Sequence, residues 1–512
     1  MLTLFNDSLV WLLKRRLARI EAFRRDAWPV QEREFQRLLR AGRTTNWGKE
    51  YGYRSIRSLT DFQRQIPVST YEDLVPYLER VMQGEDRVLW PSPVRFFSKS
   101  SGTTNARSKF IPVSREALDE GHFRAGKDMM ALWIDNKPET RVFEGKGLSV
   151  GGSLAPNPFN AHTLTGDISA IVMKNLPIWA QFIRTPSLQV ALMDGWEDKI
   201  RCMAEEAARV NVTSILGVPT WILVLIHKVL ELTGKSSILD VWPNFEVFIH
   251  GAVAFQPYRN LFQKEVFAGQ DIRYLETYNA SEGFFGLQDD LSKVDELLLM
   301  LDYGIFYEFI PLEEIGNPYP KALTITEVEL NRNYALVITT NSGLWRYLIG
   351  DTIRFTSKQP YRIKISGRTK HFINAFGEEV IVENAETALT KACQVTGATI
   401  ADYTAAPIYM GSGARQGRHE WVIEFSTAPD NQEQFVAVLD ETLRTVNSDY
   451  DAKRSYDLAL LRPIVHGVPV GTFYQWMKKR GKLGGQHKVP RLSNSREYVE
   501  EILRLDSQAQ ER

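Results

Sequence analysis

Two apolar runs that end in small polar residues constrain this chain most. Residues 245–249 form a compact apolar strand pattern with Gly251 close behind, and residues 272–278 repeat it before Asn279-Ala280-Ser281-Glu282-Gly283. Residues 196–233 read as mostly helical, broken at Leu216-Gly217-Val218-Pro219. Helix, short buried strand, then a loop of small polar residues is the α/β pattern, in which ligands sit beyond the strand ends. The expected fold class is therefore α/β.

The flanking regions differ in texture. Residues 1–90 carry helical periodicity and few strand signals, with Phe35, Leu38 and Leu39 at i, i+3, i+4. Val10, Leu13, Leu17 and Ile20 repeat at helical spacing beside Lys14, Arg15 and Arg16. Such a helix suits either a membrane surface or the protein's own core, and the core reading is preferred. Pro67 followed by residues 71–78 predicts a helix start. Residues 94–98 and 110–113 read as strands around a Gly/Ser/Thr loop, a hairpin pattern. Residues 115–134 return to helix, and residues 145–152, with Leu148 and Val150, read as a buried strand running into a turn. Residues 299–366 are strand-rich, at 306–310, 335–339 and 362–365, and Gly367 is expected to break the last strand. A β/α pattern then runs to a polar, frayed tail at 507–512. The expected division is 1–366, a hinge at 367–370, and 371–512, without internal repeats or low-complexity tracts.

Composition excludes several classes. The 512 residues hold 62 Lys+Arg and 62 Asp+Glu, so net charge gives no argument for nucleic acid or an anionic membrane. Two distant cysteines, Cys202 and Cys393, make neither a disulfide framework nor a zinc ribbon, and suit a reducing, cytoplasmic setting. The eight histidines show no HExxH pattern. No apolar stretch reaches the roughly 18 residues of a membrane span, and the basic cluster follows the first apolar run, unlike a signal peptide.

Five segments have the composition of chemistry. Residues 98–110, SKSSGTTNARSKF, offer hydroxyls at Ser100, Ser101, Thr103 and Thr104, a tight turn at Gly102 and a cation at Lys109, a set that can point donors at a phosphate. The loop is not a Walker A motif, since Arg107 and Ser108 stand where Gly-Lys is required. In YNASEG, residues 278–283, Glu282 stands just past a buried strand and suits Mg²⁺, which takes one or two carboxylates plus phosphates; Tyr278 can stack on a base. In LWRYLIGDTIRF, residues 344–355, Asp351 follows Gly350 and can accept both hydroxyls of a ribose. SGRTK, residues 366–370, places Arg368 and Lys370 at the expected boundary. GGQHKVPR, residues 484–491, carries Lys488 behind two glycines. Taken singly, each segment also reads as an ordinary turn, cap or exposed lysine.

Their order over nearly 400 residues is similar to that of the adenylate-forming superfamily of acyl-CoA synthetases, luciferases and adenylation domains. Within it the sequence most closely resembles the Gretchen Hagen family of acyl acid-amido synthetases, known from plant auxin and jasmonate conjugation and found also in bacteria. SSGTT with KFIP, WPNFEVFIHGAVAF, YNASEG and RYLIGD carry the resemblance, helped by TNWGKEYGY and IPVSTYEDLVPYLERV. It implies a large N-terminal adenylate-forming domain of mixed sheets and flanking helices, and a smaller mobile C-terminal α/β domain. It also implies ATP and Mg²⁺. Ser100, Ser101, Gly102, Thr103, Thr104 and Lys109 would meet the phosphates, and Gly251, Ala252 and Val253 would border adenine. Tyr278 would stack on adenine, with Asn279 and Ser281 beside it; Glu282 would hold Mg²⁺ and Asp351 the ribose. Arg368 and Lys370 would stand at the hinge, and Lys488 would reach the reacting carboxylate and α-phosphate. Two departures are Asn105-Ala106-Arg107 in place of the usual glycine after SSGTT, and Leu348 where many members carry a polar residue.

The activity implied is adenylation of a carboxylic acid, then transfer of the acyl group to an amine, with an amino acid expected; a thioester ligase is the alternative. A nucleotide-binding protein without turnover is disfavoured by Lys109, Glu282, Asp351 and Lys488, and a serine hydrolase by the lack of G-x-S-x-G. The acyl pocket is expected at Val218, Pro219, Thr220 and Trp221, with Leu223 and Val224, and with Trp179, Phe182 and Asp167 as weaker candidates.

Overall fold

The computed structural model describes the chain apart from residues 1–7, 9, 101–108, 194, 253–254, 256–258, 260–261, 268, 271, 316, 318, 369–371, 411–415, 458, 481–489 and 511–512. Helices Leu17–Arg25, Trp28–Gly42 and Tyr71–Met82 belong to the N-terminal region. They dock on the protein's own core. Leu13, Ile20, Phe23, Phe35, Leu38 and Leu39 are all buried in the largest apolar cluster. Arg16 donates to both carboxylate oxygens of fully buried Asp128, at 2.5 and 2.6 Å. Arg16 thus faces the protein, as the core reading of this segment requires, whereas Lys14 and Arg15 are exposed. Gln31 fixes the second helix: its amide donates to Leu301 O and Ile305 O and accepts from Tyr307 N, each at 2.9 Å.

β1 (Phe96–Ser100) and β2 (Lys109–Val113) are the expected hairpin, with Ser100 opposite Lys109. After β3 (Lys146–Ser149), β4 (Leu154–Asn157) and β5 (Asn160–Gly166) join that hairpin in a sheet ordered β2-β1-β5-β4. The main sheet begins with β3 and β6 (Arg184–Thr185), followed by β7 (Val212–Leu216), β8 (Val247–Gly251) and β9 (Arg273–Ala280), parallel in the order β9-β8-β7-β3-β6. β7 corrects the helical reading of 196–233: Val212, Thr213 and Ile215 are β-branched and sit between the helices Trp196–Ala207 and Pro219–Thr233.

The sheet continues antiparallel through β10 (Gly283–Leu287), β11 (Leu297–Leu299), β12 (Ile305–Pro311), β13 (Asn333–Thr340), β14 (Tyr347–Lys358) and β15 (Tyr361–Arg368), in the order β10-β11-β15-β14-β13-β12. Gly367 does not end β15. It sits at φ +145 beside a register shift, a conformation glycine tolerates, and the strand runs on to Arg368.

From Phe372 onward the strands pair among themselves. β16 (Phe372–Ile373) pairs with β17 (Val380–Ile381), and β18 (Thr399–Ile408), β19 (Gly417–Thr427) and β20 (Leu460–Val468) form a three-stranded sheet. Trp421 and Ile423 face one core while Val422 faces another with Phe473, Trp476 and Ile502, the alternation a strand requires. The expected frayed tail is helical to Gln510. One apolar cluster joins Leu148, Ile215, Ile222 and Phe248 to Ile373, Phe376 and Trp421, so this C-terminal part packs on the parallel half of the sheet.

Candidate functional site

A cleft of about 1820 Å³ opens beyond the carboxyl ends of β9, β8, β7 and β3. This is where an α/β sheet binds ligands, because the strand ends release backbone groups into loops. Lys109, Gly251, Ala252, Tyr278, Asn279, Ser281, Glu282 and Asp351 all line it, although they are scattered between positions 109 and 351 of the sequence.

The hairpin that frames the phosphate-loop segment is tied to YNASEG. Ser98 Oγ donates to Ser281 Oγ at 2.8 Å, joining β1 to the turn between β9 and β10. Lys109 lies with its ammonium 5.6 Å from the centre of the Tyr71 ring, and Tyr71 Oη accepts from Phe110 N at 2.9 Å. Tyr71 opens its helix behind Thr70, whose N and Oγ1 both donate to Asp73 at 2.8 Å. IPVSTYEDL is therefore the platform under Lys109. Ser101, Gly102, Thr103, Thr104 and Asn105-Ala106-Arg107 lie outside the described residues, and Ser100 is described only in its backbone.

The RYLIGD segment reaches the same place. Ser69 N donates to Arg346 O at 2.9 Å and Leu348 N to Ser69 O at 2.8 Å, so IPVS extends the sheet beside β14. Arg346 pairs with buried Glu308 at 2.9 Å and donates to Gln63 O and Ile66 O. Leu348 packs with Val68 and Val337, which accounts for an apolar residue there. Gly350 takes φ +95 and turns the next carboxylate inward. Asp351, 7% exposed, accepts from Tyr278 Oη at 2.6 Å and stands opposite Arg368 in the β14–β15 pairing. Tyr347 Oη lies 3.5 Å from Glu282 Oε1.

Gly251 ends β8 opposite Thr277. A Cβ at Gly251 would lie 2.6 Å from Thr277 O and Oγ1, so the backbones approach as only glycine allows. Ala252, at φ +70, accepts from Asn374 Nδ2 at 3.4 Å. Val253, Lys370 and Lys488 lie outside the described residues.

The pocket expected at 218–221 is divided. Val218 and Trp221 line the cleft, and Pro219 opens the helix Pro219–Thr233. The side chain of Thr220 is not among those described. Leu223 is buried and Val224 packs against the same core, so neither faces the cleft. Trp179 and Asp167 line it, whereas Phe182, 74% exposed, does not.

Three groups in the cleft carry no motif. Lys453 places its ammonium 4.3 Å over the Trp221 ring, and burial pulls it below the usual lysine range against the opposing pull of Asp449, Glu378 and Asp167. Burial pushes Glu276 up to about 7, with Asp295 adding to the rise and Arg259 and Lys364 opposing it. Burial also lowers the Arg184 guanidinium from its ordinary value. None has a neighbouring signature in the sequence.

Among the described residues no group of three or more His, Cys, Asp or Glu side chains is placed to hold a metal. Glu282, at the hairpin tip on the cleft wall, offers a single carboxylate. That donor set fits Mg²⁺, which uses few protein ligands and completes its shell with phosphate and water.

The GH3 family N-terminal domain matches residues 16–272, its central domain 298–368 and its C-terminal domain 383–497. Similar proteins include the indole-3-acetic acid-amido synthetase GH3.3 of Arabidopsis thaliana, 22% identical over 92% of this chain and 90% of that one. The jasmonoyl-L-amino acid synthetase JAR4 of Nicotiana attenuata is 23% identical over 65% of this chain and 67% of that one. Among solved structures, the GH3.15 acyl acid amido synthetase shares the fold with a TM-score of 0.60, 18% identity, and coverage of 96% and 95% of the two chains. A 2-hydroxyisobutyryl-CoA ligase shares it with a TM-score of 0.54, 14% identity, and coverage of 94% and 92%. With all three domains matched in order along a chain that folds as its members do, this protein belongs to the GH3 family.

Proposed function

We propose that the protein is an ATP-dependent acyl acid-amido synthetase. It adenylates a carboxylic acid, releases pyrophosphate, and passes the acyl group to an amine, with an amino acid as the acceptor. The observation that carries this reading is convergence: the bases of three motifs, joined by Ser98–Ser281 and Tyr278–Asp351, form one wall of one cleft.

Carboxylates are poor electrophiles, and the acid is activated when its oxygen attacks the α-phosphorus of ATP. The bond to the β-phosphate breaks, and the electron pair leaves with pyrophosphate. Negative charge crowds together in this step, so preorganised donors and cations lower its barrier. Ser100, Ser101, Gly102, Thr103, Thr104 and Lys109 hold the phosphates, and Lys488 reaches the reacting carboxylate and α-phosphate. Glu282 would hold Mg²⁺, which supplies charge neutralisation when bound. Asp351, oriented by Tyr278, accepts the ribose hydroxyls, while Gly251, Ala252 and Val253 border the base, with Tyr278, Asn279 and Ser281 beside it. Val218 and Trp221, which line the cleft, border the acyl group, and Pro219 and Thr220 belong to the same acyl-binding segment. In the second step the amine lone pair attacks the acyl carbonyl, the mixed-anhydride bond breaks, AMP leaves, and nitrogen loses a proton.

The working division is 1–366, a hinge at 367–370 containing Arg368 and Lys370, and a C-terminal domain, 371–512. A rotation of that domain would part Lys453 from Trp221 and Asn374 from Ala252, two of the contacts it makes at the cleft. The test of function is product identity. The protein is incubated with ATP, Mg²⁺, a panel of aryl and alkyl acids, and amino acids or CoA in turn. Amide mass supports this reading; thioester mass would replace it with the ligase alternative. Pyrophosphate release that depends on no acid of the panel would remove both.

A further inference from the structure

The cleft has two chemically different ends. In the order β9-β8-β7-β3-β6, four spacings separate β9 from β6, about 19 Å at about 4.8 Å each. The β9 end carries Tyr278, Asp351 and Glu282. The β6 end carries Arg184, which lines the cleft at 7% exposure.

Arg184 is a built but uncompensated cation. Nη1 donates to Gln181 Oε1 at 3.0 Å; Nη2 reaches Met173 Sδ at 3.1 Å and Ser149 Oγ at 3.5 Å. Nε is buried without a hydrogen-bond partner. Among the described residues no carboxylate lies within ion-pair distance of the guanidinium, and Glu206 acts on it only through space. A buried arginine cannot relieve its charge by losing a proton, and a thioether is a weak acceptor. The enclosed charge therefore calls for an anion, and the planar guanidinium fork matches a carboxylate. Met173 beside it is apolar, and Val150, Leu176 and Ala180 add apolar lining to the same cleft, which suits a carbon chain between two polar ends.

We propose that Arg184 and Ser149 form a subsite for a second, distal carboxylate on the acid that is adenylated, so that the preferred acyl substrates are dicarboxylic acids. The inference rests on the synthetase reading. One carboxylate is consumed at the phosphate end, and the other remains ionised and pairs with Arg184 at the far end.

The experiment measures pyrophosphate release with ATP and Mg²⁺ for matched pairs of acids. Each pair is a dicarboxylic acid and its monomethyl ester, across a series of chain lengths, with wild type, Arg184→Lys, Arg184→Met and Ser149→Ala. Wild type is expected to favour at least one diacid over its ester by about tenfold or more in kcat/KM, as a charge-assisted hydrogen-bonded pair provides. In Arg184→Met that ratio falls to about one, chiefly through KM; Arg184→Lys recovers part of it, and Ser149→Ala loses part of it. Ser149→Ala leaves the guanidinium in place and keeps the test decisive should Arg184→Met not fold. A wild type that turns over esters as well as every diacid overturns the inference while leaving the synthetase reading intact, and so does an unchanged ratio in the folded variants. A wild type that releases pyrophosphate with a monocarboxylic acid of the aryl and alkyl panel but with no diacid overturns the inference alone; one that releases it with no acid of either panel overturns both.

Discussion

Tyr278 donates its phenolic hydrogen to Asp351 Oδ2 across 2.6 Å, inside the wall of the cleft, between residues 73 positions apart. The ring also lies 4.9 Å from Phe285, tilted against it, so Tyr278 is held at both its face and its hydroxyl. The bond uses one acceptor of the carboxylate and aims the rest. Tyr278→Phe keeps the ring and releases Asp351. The expected result is a KM for ATP raised about tenfold, equivalent to about 1.4 kcal/mol, with kcat less affected. Steady-state pyrophosphate release at varied ATP measures it.

Gly251→Ala tests the close approach of β8 to β9. The new Cβ would meet Thr277 O and Oγ1 at 2.6 Å, with backbone on one side and a hydroxyl bonded to His250 O on the other. Neither yields freely. The variant is expected to lose about 1–3 kcal/mol of stability and to bind ATP more weakly, since the adenine border shifts with the strand. Denaturant unfolding and calorimetric titration with ATP report the two effects separately.

Glu276 gives a pH signature. Burial raises its carboxyl from 4.5 to about 7. A group whose folded value lies above its unfolded one binds more protons when folded, so its contribution is fully present below about pH 4.5 and lost as pH rises through about 7. Glu276→Gln removes this dependence. Compared with wild type, the variant's stability should vary less between about pH 5 and about pH 8, by on the order of 2 kcal/mol. Parallel unfolding curves for the two proteins across that range would contradict the assignment.

Much of the site was legible because its groups stand in contiguous motifs. The segment 278–283 announces a strand end from composition alone, whereas 344–355 does not show that Gly350-Asp351 lie inside β14; the hairpin around the Ser/Thr loop was visible as two apolar runs. What the sequence does not display is pairing over distance. Ser98 and Ser281 are ordinary serines until the fold brings them to 2.8 Å. Arg184 and Lys453 look like surface cations, because burial of a charge depends on what packs above it. β7 was hidden because Val212–Leu216 lies between two helices and is too short to show its own period. Gly367 was misjudged as a breaker because a glycine can also sit inside a bulged strand.

Lys488→Ala separates binding from chemistry. In the proposed mechanism Lys488 meets the reacting carboxylate and the α-phosphate, while the base and ribose are held elsewhere. The variant should bind ATP with an affinity within about threefold of wild type yet lose adenylation by about a hundredfold or more, the effect expected when a transition-state charge contact is deleted. Unchanged adenylation would remove Lys488 from the mechanism.

The central claim is that the cleft joining Ser98–Ser281 to Tyr278–Asp351 activates a carboxylic acid at the α-phosphate of ATP. Exchange of labelled pyrophosphate into ATP, measured with and without acid and in the absence of any amine, tests it most directly. Label is expected to enter ATP only when a suitable acid is present, and Asp351→Ala is expected to abolish the exchange. Exchange that proceeds equally without acid, or that no acid of a broad mono- and dicarboxylic panel can support, would contradict it.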